Sequence, residues 1–316
     1  MNVIITPSIS SKRAIIERTQ KFWSGNKLWQ SGGVTQVFNQ ISGFIASEYN
    51  IIPQKERIGK GRVFITKNIV EGCYNLLEDK TNIDFIEYCS DLFNYAESKD
   101  DNYLRNFALI LLAKSSTISN ETLERVLDHI KVNYANHPNW EIREVSTYSI
   151  REGLRSFPIF TLKILNKWLQ KNPNANVKRL ITESIRPLAD IKWLRDPNKN
   201  DPILDILIKL NADKSEYVRK SVGNNIKDLS KYMPTKMLDL TENWIRDANI
   251  KVTDNLASKS KQELEGKNYY LVWTIKHGLR WLKERNPEYH KRIEKILGQN
   301  YVLYFNEKSN RMAKPR

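Results

Sequence analysis

Four stretches in the second half of the chain can be written under one another, and their agreement limits the possible folds more than any other feature. They are Glu141-Ile142-Arg143-Glu144 through Ser149-Ile150-Arg151, Asn176-Val177-Lys178-Arg179 through Ser184-Ile185-Arg186, Tyr217-Val218-Arg219-Lys220 through Asn225-Ile226-Lys227, and Tyr270-Leu271-Val272-Trp273 through Gly278-Leu279-Arg280. Each holds two aliphatic residues eight apart, with a basic residue after the second. Three of the four also carry a basic residue after the first. The first aliphatic position advances by 35, 41 and 53 residues from one stretch to the next. Each stretch then runs into a second apolar segment: Phe160 to Leu169, Ile203 to Leu210, Met237 to Ile245, and Ile293 to Leu297.

A two-helix unit repeated every 35–47 residues or so is the period of HEAT and armadillo repeats. One helix pair cannot bury its apolar stripe alone, so neighbours stack and share a continuous core, and a small rotation per unit makes a concave surface. From Val63 onward apolar residues recur at spacings of three and four, as in Leu104, Phe107, Ala108, Leu111 and Leu112, and the connections carry Asn, Asp, Pro and Ser. No stretch alternates with period two. The expected fold is all-α: HEAT-like helical repeats over residues 63–300, stacked in a curved α-solenoid with a basic concave face. Residues 1–62 read as a separate N-terminal helical and loop region, and residues 301–316 as a basic tail. Between Phe22 and Val63, Gly25, Gly32, Gly33 and Gly43 interrupt the apolar patches, and Pro53 to Gly61 reads as a loop. Its end, Arg57-Ile58-Gly59-Lys60-Gly61-Arg62, is a basic, glycine-bearing turn within reach of a phosphate, without the Gly-Lys-Ser/Thr ending of a P-loop.

Charge supplies the first functional constraint. The chain of 316 residues has 51 Lys and Arg against 36 Asp and Glu, a formal +15. Such an excess asks for a polyanionic partner. Nucleic acid fits better than a membrane surface, because no basic helix carries a clean aromatic and aliphatic opposite face. Cys73 and Cys89 match no zinc or redox spacing, and the four histidines form no ligand cluster. Neither metal nor cofactor is expected. Met1 to Lys21 lacks the apolar core and cleavage site of a secretory leader, so a cytoplasmic protein, nucleoid-associated in a bacterium, is expected.

If the first helix of each unit lines the concavity, Arg143, Arg151, Lys178, Arg179, Arg186, Arg219, Lys220, Lys227 and Arg280 share one side and form a backbone-binding set. For Arg143, Lys178 and Arg219 a second reading stands beside this one, a structural salt bridge to the next repeat. Contacts of this kind go mainly to phosphate oxygens and carry no sequence code. The chain shows no recognition-helix, zinc-finger or RNP pattern. Sequence-independent binding of double-stranded DNA by a monomer is therefore the expectation.

The run Asp213-Lys214-Ser215-Glu216-Tyr217-Val218-Arg219-Lys220-Ser221-Val222-Gly223-Asn224-Asn225-Ile226-Lys227-Asp228-Leu229-Ser230-Lys231 resembles the HEAT-like DNA alkylation repair proteins, the AlkC/AlkD superfamily of alkylpurine glycosylases, and its AlkC branch in particular. Asn176 to Pro187 is similar to the preceding repeat of that branch, and Trp273 to Arg280 to its closing helix, so the resemblance covers residues 137–297. It implies a glycosylase that excises N3- or N7-alkylated purines, such as 3-methyladenine or 7-methylguanine, from duplex DNA. Alkylation makes the base cationic and a good leaving group, and a carboxylate near C1′ stabilises the charge that builds on the sugar. Carried over residue by residue, Asp228 falls on the family's second catalytic carboxylate. The first should stand three residues before Ile150, where this chain has Thr147. Glu144 lies one helical turn earlier, four residues after Trp140, like the Trp and Asp that act together in the AlkD branch. Trp193 has the type of an aromatic that the family places near the lesion, and Arg179 falls on an arginine facing the backbone. The bland readings are a salt bridge between repeats, to an arginine such as Arg179, for Glu144, a helix-end or inter-repeat polar contact for Asp228, and a core role for Trp140. The immunoglobulin-like module that often follows in the AlkC branch is not expected. Two further readings remain beside the glycosylase: a non-catalytic binder of damaged or distorted DNA, suggested by Thr147, and a protein-binding scaffold, disfavoured by the charge.

Overall fold

The computed structural model describes residues 8–24, 34–57, 59–77, 79–251 and 266–298. The basic tail over 301–316, Ile58 of the basic turn, and Gly25, Gly32 and Gly33 lie outside the described residues. Among the described residues the structure is helical throughout and contains no strand. The chain divides between Thr161 and Leu162 into two compact units.

In the first unit, α1 (Lys12–Trp23) and α2 (Val34–Ile51) precede α3 (Arg62–Asn75), α4 (Phe85–Ser98), α5 (Asn102–Ser115), α6 (Asn120–Asn133) and α7 (Trp140–Ser156). The second helix departs from expectation. Gly43 stands within it, yet Val37, Phe38, Ile41 and Ile45 still form a buried stripe at helical spacing. A single mid-helix glycine costs about 1 kcal/mol, less than one buried aliphatic side chain returns. The unit's core is α5, buried from Leu104 to Ala113, and α3, α4 and α7 all pack against it. A helix apolar on nearly every side can only be a core helix. Asp84, Asp101, Ser119 and Asn139 cap the helices that follow them by accepting backbone N–H bonds.

The repeat read from the sequence appears as helix pairs. Helix α7 is followed by α8 (Pro158–Gln170), which crosses the division between the units. The second unit then holds α9 (Ala175–Ser184) with α10 (Asp201–Leu210), α11 (Glu216–Leu229) with α12 (Pro234–Asp247), and α13 (Lys267–Arg285) with α14 (His290–Leu297). All eight paired aliphatics, Ile142 and Ile150, Val177 and Ile185, Val218 and Ile226, Leu271 and Leu279, are at most 4% exposed. Each contributes about 1.5–3 kcal/mol of transfer free energy to the core. Asn172 after α8 and Asn249 after α12 take left-handed backbone (φ 43° and 53°), the usual way to stop a helix and turn the chain.

In the second unit α11 and α13 pack closely against one another. A Cβ on Gly278 would lie 2.8 Å from the Ile226 side chain, and one on Gly223 would lie 2.6 Å from the His277 ring. Two glycines, one on each helix, therefore set how near these helices come, and they bring Asn224, His277 and Arg280 within hydrogen-bonding reach of one another. No described helix is long and apolar enough to cross a membrane.

Candidate nucleic-acid site

In the first unit Trp140 and Glu144 line a cleft of about 700 Å³ between the start of α7 and the start of α3. Trp140, the first residue of α7, is 62% exposed, far more than a core role would leave it. Glu144 follows one turn later and lines the same cleft, with Tyr148 a turn beyond. Thr147, at the position expected to carry a carboxylate, is 1% exposed, and its hydroxyl donates to the Glu144 carbonyl at 2.6 Å. Position 147 therefore faces the core, and the carboxylates that line the cleft are Glu144 and Glu141. Opposite stand Gly59, Gly61, Arg62 and Lys67. The Lys67 ammonium lies 5.4 Å from the Tyr148 ring centroid, and the Arg151 guanidinium lies 5.5 Å from it.

In the second unit a chain of ion pairs links α9 to α11, and hydrogen bonds carry it on to α13. Glu183 of α9 accepts from Arg179 at 2.9 Å and from Arg186, just past the helix end, at 3.0 Å. Arg186 also reaches Asp228 of α11 at 2.6 Å, 42 residues on in sequence. Lys227 approaches the other Asp228 oxygen at 2.8 Å and Lys231 at 3.2 Å. Arg280 of α13 donates to the Asn224 side-chain oxygen at 2.6 Å and to the His277 carbonyl. Burial opposes ionisation of Asp228, but the bonds from Lys227 and Arg186 prevail and hold its carboxyl at about 2. Burial likewise pulls against Glu183, and Arg179 and Arg186 keep it below the usual carboxylate range. Both acids are ionised at neutral pH, and the cations around them outnumber them. The neighbouring His277 ring stacks on Trp273 at 5.1 Å, and burial, with Arg280 and two lysines, lowers it to about 3, so it is neutral.

The repeated cations divide by what they touch. Arg143 donates to the carbonyls of His137 and Pro138 at 2.5 and 2.9 Å, and Arg219 donates to those of Asp213 and Lys214 at 2.7 and 2.8 Å. These bonds tie each helix start to the loop before it at the same offsets. Arg219 is also 5% exposed and lies over the Tyr270 ring at 4.2 Å. Lys178 pairs with Asp213 of the next repeat at 2.9 Å. Arg179 joins the chain of ion pairs and stacks on Tyr217 at 4.3 Å. Lys220 pairs with Glu216 on an exposed face of α11. Trp193 sits half-buried on a short 3-10 turn, Lys192–Arg195, within the second unit. Of Arg143, Lys178 and Arg219, Lys178 makes an ion pair to the next repeat, whereas Arg143 and Arg219 fold back on the loops before their own helices; Arg151, Arg186, Lys227 and Arg280 border the two clusters of candidate residues. Sequence reasoning missed Glu183, Lys231, Lys67 and Tyr148, and named Arg62 only as part of a basic turn. Glu183 and Lys231 stood three residues from Arg186 and Asp228, a spacing at which helical neighbours meet.

The solved structure of the alkylpurine DNA glycosylase AlkC of Pseudomonas fluorescens, bound to DNA containing an abasic site analogue, superposes on 93% of this chain and 69% of its own, with a TM-score of 0.52 at 19% sequence identity. The chain thus shares the all-helical repeat fold of that structure. By sequence, 120 residues are 32% identical to the uncharacterized protein YhaZ of Bacillus subtilis (strain 168), a match over 37% of this chain that spans 28% of the relative's length. No family model matches the sequence.

Proposed function

We propose that the protein is a DNA glycosylase that removes N3- or N7-alkylated purines from duplex DNA in base excision repair. The observation that carries this reading is the cleft of the first unit, where an exposed tryptophan and a carboxylate, Trp140 and Glu144, stand one helical turn apart in a fold shared with a DNA glycosylase. The alkylated purine departs with the C1′–N electron pair, which neutralises its ring. Positive charge then sits on the deoxyribose until water adds to C1′ and loses a proton. A carboxylate stabilises that charge and takes up the proton, and an aromatic face shields it from bulk water. Glu144 and Asp228 are the carboxylates assigned to this work. Asp228 remains charged at every physiological pH, as charge stabilisation requires. Its cations have a second use: duplex phosphates compete for Arg186, Lys227 and Lys231, and each one they draw away leaves the Asp228 charge less neutralised. Arg151, Arg179 and Arg280 are assigned to the DNA backbone, and Trp193 to the lesion's surroundings.

Incubation with methylated duplex, followed by chromatography of the soluble fraction, tests the reading: free 3-methyladenine or 7-methylguanine is expected. Thr147 in place of the AlkC-branch glutamate favours a second reading, a binder of damaged or distorted DNA. That reading expects salt-sensitive duplex binding without release of any base.

A further inference from the structure

The cleft of the first unit is polarised in a way that the carboxylate and tryptophan alone do not explain. Its α7 wall carries Trp140, Glu141 and Glu144; its α3 wall carries Arg62 and Lys67, approached through a turn with glycines at 59 and 61. Arg62 is exposed, and its guanidinium lies 5.8 Å from the Tyr103 ring. Lys67 reaches across to Tyr148. A Cβ on Gly59 or Gly61 would meet nothing within 4 Å, so the lip of the cleft is open. The volume, about 700 Å³, falls within the range of about 300–1,000 Å³ typical of small-molecule sites.

A cleft with cations on one side and carboxylates on the other matches a ligand with opposite charges at its two ends. An N-alkylated nucleotide within DNA is such a ligand, with an anionic phosphodiester at one end and a cationic base at the other. We propose that Arg62 and Lys67 grip one phosphate of the damaged strand, so that the sugar and base of the same nucleotide are presented to Trp140 and Glu144. The turn before α3, far from α7 in the chain, is then part of the DNA-binding surface. The assignment rests on the DNA reading given above, and it gives the N-terminal region a role in orienting the lesion.

The salt dependence of duplex binding tests it without reference to catalysis. Each phosphate neutralised steepens the plot of log K against log salt by about 0.9. Fluorescence anisotropy on a labelled duplex, over a salt series, should give a slope shallower by about one for Arg62→Gln with Lys67→Gln, with an unchanged melting temperature. Gly61→Glu adds a negative charge at the lip with no steric conflict. It should weaken binding at low salt and converge on the wild type at high salt. Wild-type slopes in both variants would overturn the α3 assignment while leaving the DNA reading in place. Weak, salt-independent binding by the wild-type chain would remove the DNA reading itself. Release of no base, with the slope shift intact, would keep the α3 wall and remove the glycosylase.

Discussion

Replacing Asp228 with asparagine should move three quantities in different directions. The carboxyl is held at about 2 against an ordinary value near 3.8, so folding stabilises its ionised form. Because the folded value is depressed, that stabilisation is fully present above about pH 4 and is lost as pH falls through about 2. The full shift corresponds to about 2 kcal/mol, but Arg186 and Lys231 are 30% and 39% exposed, so solvent screening brings the expected loss for Asp228→Asn to about 1 kcal/mol. Duplex binding should tighten, because Arg186, Lys227 and Lys231 lose an internal anion and face phosphate alone. Turnover on alkylated duplex should fall on the order of 10²-fold, the usual cost of losing one preorganised charge contact in a transition state. Urea denaturation, anisotropy and single-turnover base release measure the three quantities. Weaker binding by Asp228→Asn would refute the competition between phosphate and carboxylate. Unchanged turnover would remove Asp228 from the chemistry. In the wild type, no loss of rate between pH 7 and about pH 4 should trace to Asp228.

Trp140→Ala should cost well under 1 kcal/mol of stability, because the ring is 62% exposed, yet depress base release at least tenfold; equal losses in both would mark a packing residue. Thr147→Glu should not add activity. It places a carboxylate at a 1% exposed position and should lower stability by several kcal/mol, whereas an active, stable variant would show that position 147 can open to the cleft.

The repeat was legible in the sequence because its signal is local. Aliphatics eight apart on one helix face are buried wherever the helix packs, and all eight are. Helix α2 was less legible, since the glycines around it read as interruptions and its buried stripe is spread over 18 residues. Among the cations, residue type could not separate Arg219, folded back on the loop before its helix, from Lys227, which faces Asp228. The two differ only in where the helix turns each side chain, and neighbouring helices decide that. Asp228 was found by resemblance, but its partner Arg186 lies 42 residues away and across a helix pair. That the basic turn ending in Arg62 faces Trp140 was hidden for the same reason. Arg62 and Lys67 belong with Trp140 only once α3 and α7 both pack on α5.

The central question is whether the Trp140 and Glu144 cleft breaks glycosidic bonds. The direct measurement is the single-turnover rate of base release from a duplex carrying one 7-methylguanine, for the wild type and for Glu144→Gln at saturating enzyme. The account predicts release of the free base by the wild type, and a rate lower on the order of 10²-fold for Glu144→Gln at unchanged duplex affinity. Equal rates, or no release by either protein, would contradict it.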